Sequence, residues 1–241
     1  MNEPNFAGFF PGFDPYRSRS APPIEVSPLS IPYDGQTRMR LTVASGMASA
    51  RVRIDPSANA LVTVHHDGAE PPALRVAGSE VRLSWPSWSL TNWLRGMFAG
   101  HPGGLEIVLH AAVAWELVVR GGLSSLEGEL SAGTLTRIEV CGGCSDVELE
   151  LPKPAQTVPI RISGGASQLY LRRPADVRVS VAVSGGIAAL RLDDRTFEAI
   201  GGSARLETAG QVPESPGYEI VVSGGASNVE VDRVTLASEY P

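Results

Sequence analysis

Residues 160–171 read Ile160-Arg-Ile-Ser-Gly-Gly-Ala-Ser-Gln-Leu-Tyr-Leu171, and residues 220–231 read Ile220-Val-Val-Ser-Gly-Gly-Ala-Ser-Asn-Val-Glu-Val231. On either side of the Gly-Gly pair, apolar side chains recur at every second position. A period of two is the signature of a half-buried strand, and paired glycines permit a bend that other residues resist. Each stretch therefore reads as strand, bend, strand.

The pattern recurs. Gly-Gly pairs begin at Gly121, Gly142, Gly164, Gly185, Gly201 and Gly224, spaced 21, 22, 21, 16 and 23 residues apart. With the first glycine as zero, positions −4 and −2 are Leu117 and Val119, Ile138 and Val140, Ile160 and Ile162, Val181 and Val183, Phe197 and Ala199, Ile220 and Val222. All are apolar. Positions +5 and +7 are Leu126 and Gly128, Val147 and Leu149, Leu169 and Leu171, Leu190 and Leu192, Leu206 and Thr208, Val229 and Val231, apolar except for Gly128 and Thr208. A Ser45-Gly46 step flanked by Leu41, Val43, Val52 and Ile54 reads as an earlier, degenerate unit.

One such unit cannot bury its apolar face alone, whereas stacked units share a continuous core. The expected fold is all-β: a single-stranded β-solenoid, or β-helix, of about 21-residue rungs bending at Gly-Gly. A propeller fits less well, because a blade needs about 40 residues and four strands.

Two segments escape the repeat. Residues 1–35 read as a Pro/Phe-rich N-terminal tail ahead of a solenoid domain spanning 36–236, because Pro4, Pro11, Pro15, Pro22, Pro23, Pro28 and Pro32 exclude sustained helix or central strand. The tail nevertheless holds Phe6, Phe9, Phe10, Phe13 and Tyr16. Disordered segments are poor in aromatics, so this cluster is expected to pack on something, either as a cap or as a short motif for a partner. Residues 85–100 form a Trp-rich insertion with Trp85, Trp88 and Trp93, where Ser89 would cap one short helix near 89–99. That insertion reads as a cap over the solenoid's open end or as a partner-binding element. These eight aromatics are the candidate partner-binding residues. Interfacial helices pair such aromatics with Lys and Arg, but Arg95 is the insertion's one basic residue, so membrane binding is disfavoured.

Composition narrows the classes. Twenty-six glycines and 19 prolines are too many for a helical bundle, and a net charge of −6 opposes a nucleic-acid surface, which needs clustered Lys and Arg. No apolar run of signal-peptide length appears in the first 35 residues, and no segment approaches the roughly 20 residues that span a bilayer. Two cysteines make no disulfide framework. The expected location is the cytoplasm, with no stable membrane insertion.

Two constellations invite chemistry. Cys141-Gly-Gly-Cys144 has the C-x-x-C spacing of redox dithiols and of half a zinc site. The repeat frame explains it differently: Cys141 falls in the column of Ser163, Ser184 and Ser223, and Cys144 in that of Ala166, Ile187 and Ala226. Glu127, Glu129, Glu148 and Glu150 occupy outward positions +6 and +8 of consecutive units and would share one patch if those units are neighbours. Clustered carboxylates suit hard cations, although solvated charge rows are the commoner outcome. Asp193, Asp194 and Arg191 imitate an acid/base group but fall in an ordinary outward position. No G-x-S-x-G elbow, H-E-x-x-H, Walker loop or helix-opening G-x-G-x-x-G is present.

The expectation is a non-enzymatic scaffold or protein-interaction module with no catalytic residue, cofactor or metal, bound to a protein partner or to itself. One alternative is a self-assembling, filament-like solenoid protein. Another is a metal-dependent binder or enzyme using Cys141 and Cys144 or the glutamate patch.

Val222-Ser-Gly-Gly-Ala-Ser-Asn-Val-Glu-Val231, with Ile162-Ser-Gly-Gly-Ala-Ser-Gln-Leu-Tyr-Leu171, resembles the Ser-Gly-Gly repeats of bacterial adhesin-like, toast-rack type β-solenoid domains. The likeness spans roughly residues 38–235. It implies the solenoid fold and carries over no catalytic residue. The bactofilin-like cytoskeletal solenoids are a more distant resemblance.

Overall fold

In the computed structural model the alternating segments are strands. The structure describes residues 29–44, 47–67, 71–84, 104–208 and 215–234. The helix expected near 89–99 lies outside the described residues, and these are all-β. The strands are β1 (Leu29–Pro32), β2 (Arg38–Val43), β3 (Met47–Asp55), β4 (Ala60–His66), β5 (Ala73–Ala77) and β6 (Glu80–Ser84). Next come β7 (Leu105–His110), β8 (Ala114–Arg120), β9 (Leu123–Glu129), β10 (Thr134–Cys141), β11 (Cys144–Glu150), β12 (Val158–Ser163) and β13 (Ala166–Pro174). The chain closes with β14 (Arg178–Ser184), β15 (Ile187–Leu192), β16 (Arg195–Ile200), β17 (Ser203–Glu207), β18 (Gly217–Ser223) and β19 (Ala226–Val234).

They form two mixed sheets. Sheet 1 has the order β1-β4-β7-β3-β9-β11-β13-β19-β15-β16, and sheet 2 the order β17-β14-β18-β12-β10-β8-β2-β6-β5. The strand before each Gly-Gly pair lies in one sheet and the strand after it in the other. Each pair is thus a corner between the sheets, and each strand–corner–strand unit is one layer. Layers stack in parallel register: Ile138 on Leu117 and Ile160, and Val147 on Leu126 and Leu169.

Close stacking explains the corner glycines. Gly142 has φ +105°, and a Cβ there would sit 2.8 Å from the carbonyl carbon of Gly121 in the next layer. Only glycine fits both the backbone angle and the space.

At Gly121, Gly142, Gly164, Gly185 and Gly224, positions −4, −2, +5 and +7 all face one continuous core. The degenerate unit joins them, with Leu41, Val43, Val52 and Ile54 buried. Position +2 also points inward, with Leu123, Cys144, Ala166 and Ile187 buried. Two of the largest buried side chains place their polar tips on carbonyls: Trp115 Nε1 donates to His110 O (2.9 Å) and the Tyr218 hydroxyl to Pro152 O (2.6 Å).

The Gly201 unit departs from the frame. It runs backwards, with β16 antiparallel to β15 and β17 antiparallel to β14. The pairing keeps one register from Ile187↔Ile200 to Leu192↔Arg195, but Ala199 adopts φ +32°, which breaks the inward alternation there. Ala199 is consequently exposed, and Ile200 packs against the core in its place.

Stacking also departs from chain order. The last layer, β18/β19, lies between β12/β13 and β14/β15. At the other end β6 and β7 stack in parallel on β2 and β3. Beyond them, β4 and β5 run antiparallel to β7 and β6. Each end of the stack therefore carries a reversed unit. Strand β1, from the segment read as tail, adds a short edge that ends at Pro32.

Candidate interaction surfaces

The eight aromatics singled out by sequence, Phe6, Phe9, Phe10, Phe13, Tyr16, Trp85, Trp88 and Trp93, lie outside the described residues. The cysteines lie within them, one on each side of a corner. Cys141 stands in register with Ser163 on the outer side of sheet 2, its thiol 3.5 Å from Glu139 Oε1. Partial burial pushes the Glu139 carboxyl up, but the bonded Arg137 guanidinium outweighs it and leaves the group below its usual range. Cys144 stands in register with Leu123 and Ala166, is buried, and lies 3.8 Å from Gly165 O. Burial pushes its thiol above the ordinary range, opposite to the shift that activates a cysteine. Among the described residues no three His, Cys, Asp or Glu side chains gather as a metal site.

The glutamate patch forms as the frame expects, because β9 and β11 are neighbours: Glu127 stands beside Glu148 and Glu129 beside Glu150. It belongs to a wider ladder across the outer face of sheet 1. One register row runs His65, Glu106, Arg51, Glu127, Glu148, Tyr170, Glu230, Arg191. The next holds Arg53, Glu129, Glu150, Arg172 and Asp232. Arg51 pairs with Glu127 (2.6 Å), Arg172 with Glu148, and Arg191 with Glu230 and Asp232. The hydrogen bonds and charges of Glu127 and Glu230 hold Arg51 and Arg191 above the ordinary guanidinium range. Arg53 turns to Asp55 and Glu106. Glu129 and Glu150 are left side by side with no ion pair among the described residues. Asp146 and Glu198 add to the same face, so carboxylates outnumber guanidiniums there.

The outer face of sheet 2 has the opposite balance. Arg38, Arg40, Arg75, Arg82, Arg120, Arg137, Arg161 and Arg205 outnumber Glu80, Glu116, Glu139, Glu207 and Glu219. Arg40 and Arg137 share Glu116, Arg137 also holds Glu139, and Arg205 holds Glu207. Arg75 and Arg82 stand directly opposite each other on β5 and β6. Both are exposed, and neither has an ion pair among the described residues.

Sequence reading missed Arg173. It is 1% exposed and donates through Nη2 to both oxygens of Asp193 at 2.7 and 2.8 Å, while Nη1 reaches Pro174 O and Ala175 O. Asp193 adopts φ +52° and also meets Arg233 Nε at 3.2 Å. The pair ties the turn after β13 to the turn after β15, across the intervening β19. Its sequence signal is position +9, where Leu130 and Leu151 are buried and Arg173 takes the same column. An arginine in a leucine column implies a buried counter-charge.

Concavities also lie among the described residues. A shallow groove of 720 Å³ follows the corners past Gly143, Gly164, Gly185 and Gly224. A pocket of 400 Å³ at the other end of sheet 1 is bordered by Arg51, His65, His66, Asp67, Glu106 and Glu127.

No protein-family model matches this chain, and no curated protein does. Among solved structures, it is similar to a crystal structure of a "putative cell adhesion protein" from Clostridium sporogenes. The two share 15% identity at a TM-score of 0.64, over 86% of this chain and 97% of that one. At this identity the likeness establishes a shared all-β fold of layered sheets.

Proposed function

We propose that the stacked layers form a β-solenoid that works as a non-enzymatic, cytoplasmic scaffold, binding proteins through its broad outer faces. The observation that carries this reading is the register ladder on sheet 1. Rows of Arg, Glu and Tyr side chains are held by a parallel sheet across many strands, a flat display suited to selecting a partner by charge pattern. The adhesion role named for the structural neighbour points the same way. Assembly end to end into filaments is less well supported, because the edge strands β16, β17 and β5 are short and carry charged residues, features that blunt sheet edges. A cytoplasmic location suits free thiols.

Partner capture tests the reading. Immobilised wild type is compared with Tyr170→Ala/Arg191→Ala on the sheet 1 face and with Phe9→Ala and Trp93→Ala in the aromatic segments. Loss of a bound protein with any of these identifies the working surface. If every variant retains all captured proteins, the scaffold reading fails as stated.

A further inference from the structure

Among the described residues, the two outer faces carry pairs of opposite sign that have no ion-pair partner. On sheet 1, Glu129 and Glu150 are register neighbours whose nearest arginines bond other carboxylates. On sheet 2, Arg75 and Arg82 face each other across an antiparallel pair. Like charges on adjacent strands are mildly destabilising, and among the described residues each face carries such a pair.

We propose that the partner of each face is a second copy of this chain, with Arg75 and Arg82 of one copy docked on Glu129 and Glu150 of the next. This rests on the reading that the outer faces are contact surfaces. The spacing matches, because both pairs sit on neighbouring strands roughly 5 Å apart. Guanidinium forks take carboxylates in bidentate fashion, so one contact relieves both repulsions. The surrounding faces have opposite charge balance and steer the approach. The contact joins unlike faces and is heterologous, so each added copy leaves a fresh face free and growth is open-ended. It uses the outer faces of the two sheets, with Arg75 on the edge strand β5 of sheet 2 and Glu129 and Glu150 on the interior strands β9 and β11 of sheet 1.

The test is sedimentation velocity of the full chain at about 20 mM and about 500 mM NaCl, conditions between which screening of exposed charges rises steeply. The expected mass exceeds the 25.4 kDa monomer at low salt, climbs with concentration, and returns to monomer at high salt. Arg75→Glu/Arg82→Glu should weaken association at least tenfold, as should Glu129→Arg/Glu150→Arg. An equimolar mixture of the two should associate again, because every reversed face then finds its complement. Arg75→Gln/Arg82→Gln, with circular dichroism matching wild type, guards against a folding defect. A wild type that stays monomeric at low salt overturns the proposal, as does association that the charge reversals leave unchanged. Either result leaves capture of another protein by the same faces to be judged on its own.

Discussion

Replacing Gly142 with alanine tests whether the layers are packed backbone against backbone. The substitution forces a Cβ into a residue with φ +105°, and strain of this kind costs about 1–3 kcal/mol. The new atom would also lie 2.8 Å from Gly121 C and 2.9 Å from Gly121 O, main-chain atoms that cannot swing aside. Relief requires the layers to part at the corner. That loosens the bonds from Gly121 N to Cys141 O (2.8 Å) and from Leu123 N to Gly143 O (3.1 Å), each worth about 0.5–1.5 kcal/mol. Gly142→Ala should therefore cost about 4 kcal/mol by these two contributions. Gly202→Ala separates them: φ there is +81°, but nothing lies within 4 Å of the new Cβ, so only the strain of about 1–3 kcal/mol remains. Gly122→Ala lacks positive φ and meets only Gly143 O at 3.8 Å. It should be neutral or raise stability by up to about 1 kcal/mol through the unfolded chain. Guanidinium unfolding followed by circular dichroism measures all three. A Gly142→Ala no costlier than Gly202→Ala would refute interlayer packing as the reason for the corner glycines.

Asp193→Ala leaves the Arg173 guanidinium buried without its partner and should cost about 3–5 kcal/mol, whereas Arg173→Leu/Asp193→Gly should recover most of that loss; a cost equal to the single variant's would show that the pair does not act as a unit. Tyr218→Phe removes the donor to Pro152 O and should cost about 1–3 kcal/mol at neutral pH by the same unfolding assay. Burial pushes the Tyr218 phenol well above its usual range near 10. Its contribution is fully present below the unfolded pKa and is lost as pH rises through the folded one. Wild-type stability should thus fall more steeply than that of Tyr218→Phe above about pH 10, by up to about 1.4 kcal/mol per pH unit; parallel curves would count against a buried phenol. With a thiol reagent at pH 8, Cys141 should react readily and Cys144 only on unfolding, so fast labelling of both thiols in the native protein would contradict the buried placement of Cys144.

The interior was legible because one period ran through many layers. Val147 and Leu169 differ in shape but hold the same position relative to a glycine pair, and that position decides burial. The cysteines yielded to the same logic, since register with Ser163 and Ala166 accounts for both. Direction and order were not legible. Phe197 and Leu206 flank Gly201 as their counterparts flank Gly185, yet strand direction depends on pairing across the stack, which local alternation does not encode. The placement of β18/β19 is likewise a tertiary choice, and the sequence of that layer is the most regular of all. Arg173 was hidden because the frame was followed only to +8, one residue short. The opposed charge of the two faces emerged only when register set Arg82 beside Arg75, from segments that show no Gly-Gly repeat.

The interleaved last layer bears on how the chain can be made. A solenoid whose layers follow chain order can grow vectorially during synthesis, each new turn settling on a finished one. Here β14/β15 cannot take its final neighbour until residues 217–234 have left the ribosome. Until then two parallel faces stand open toward a gap. The nascent protein must either hold that gap or pair β14 with β12 provisionally and later release it. Such long-range rearrangement slows folding and exposes strand edges while it lasts. A premature stop before residue 217 would accordingly do more than shorten the stack: it would remove an interior layer.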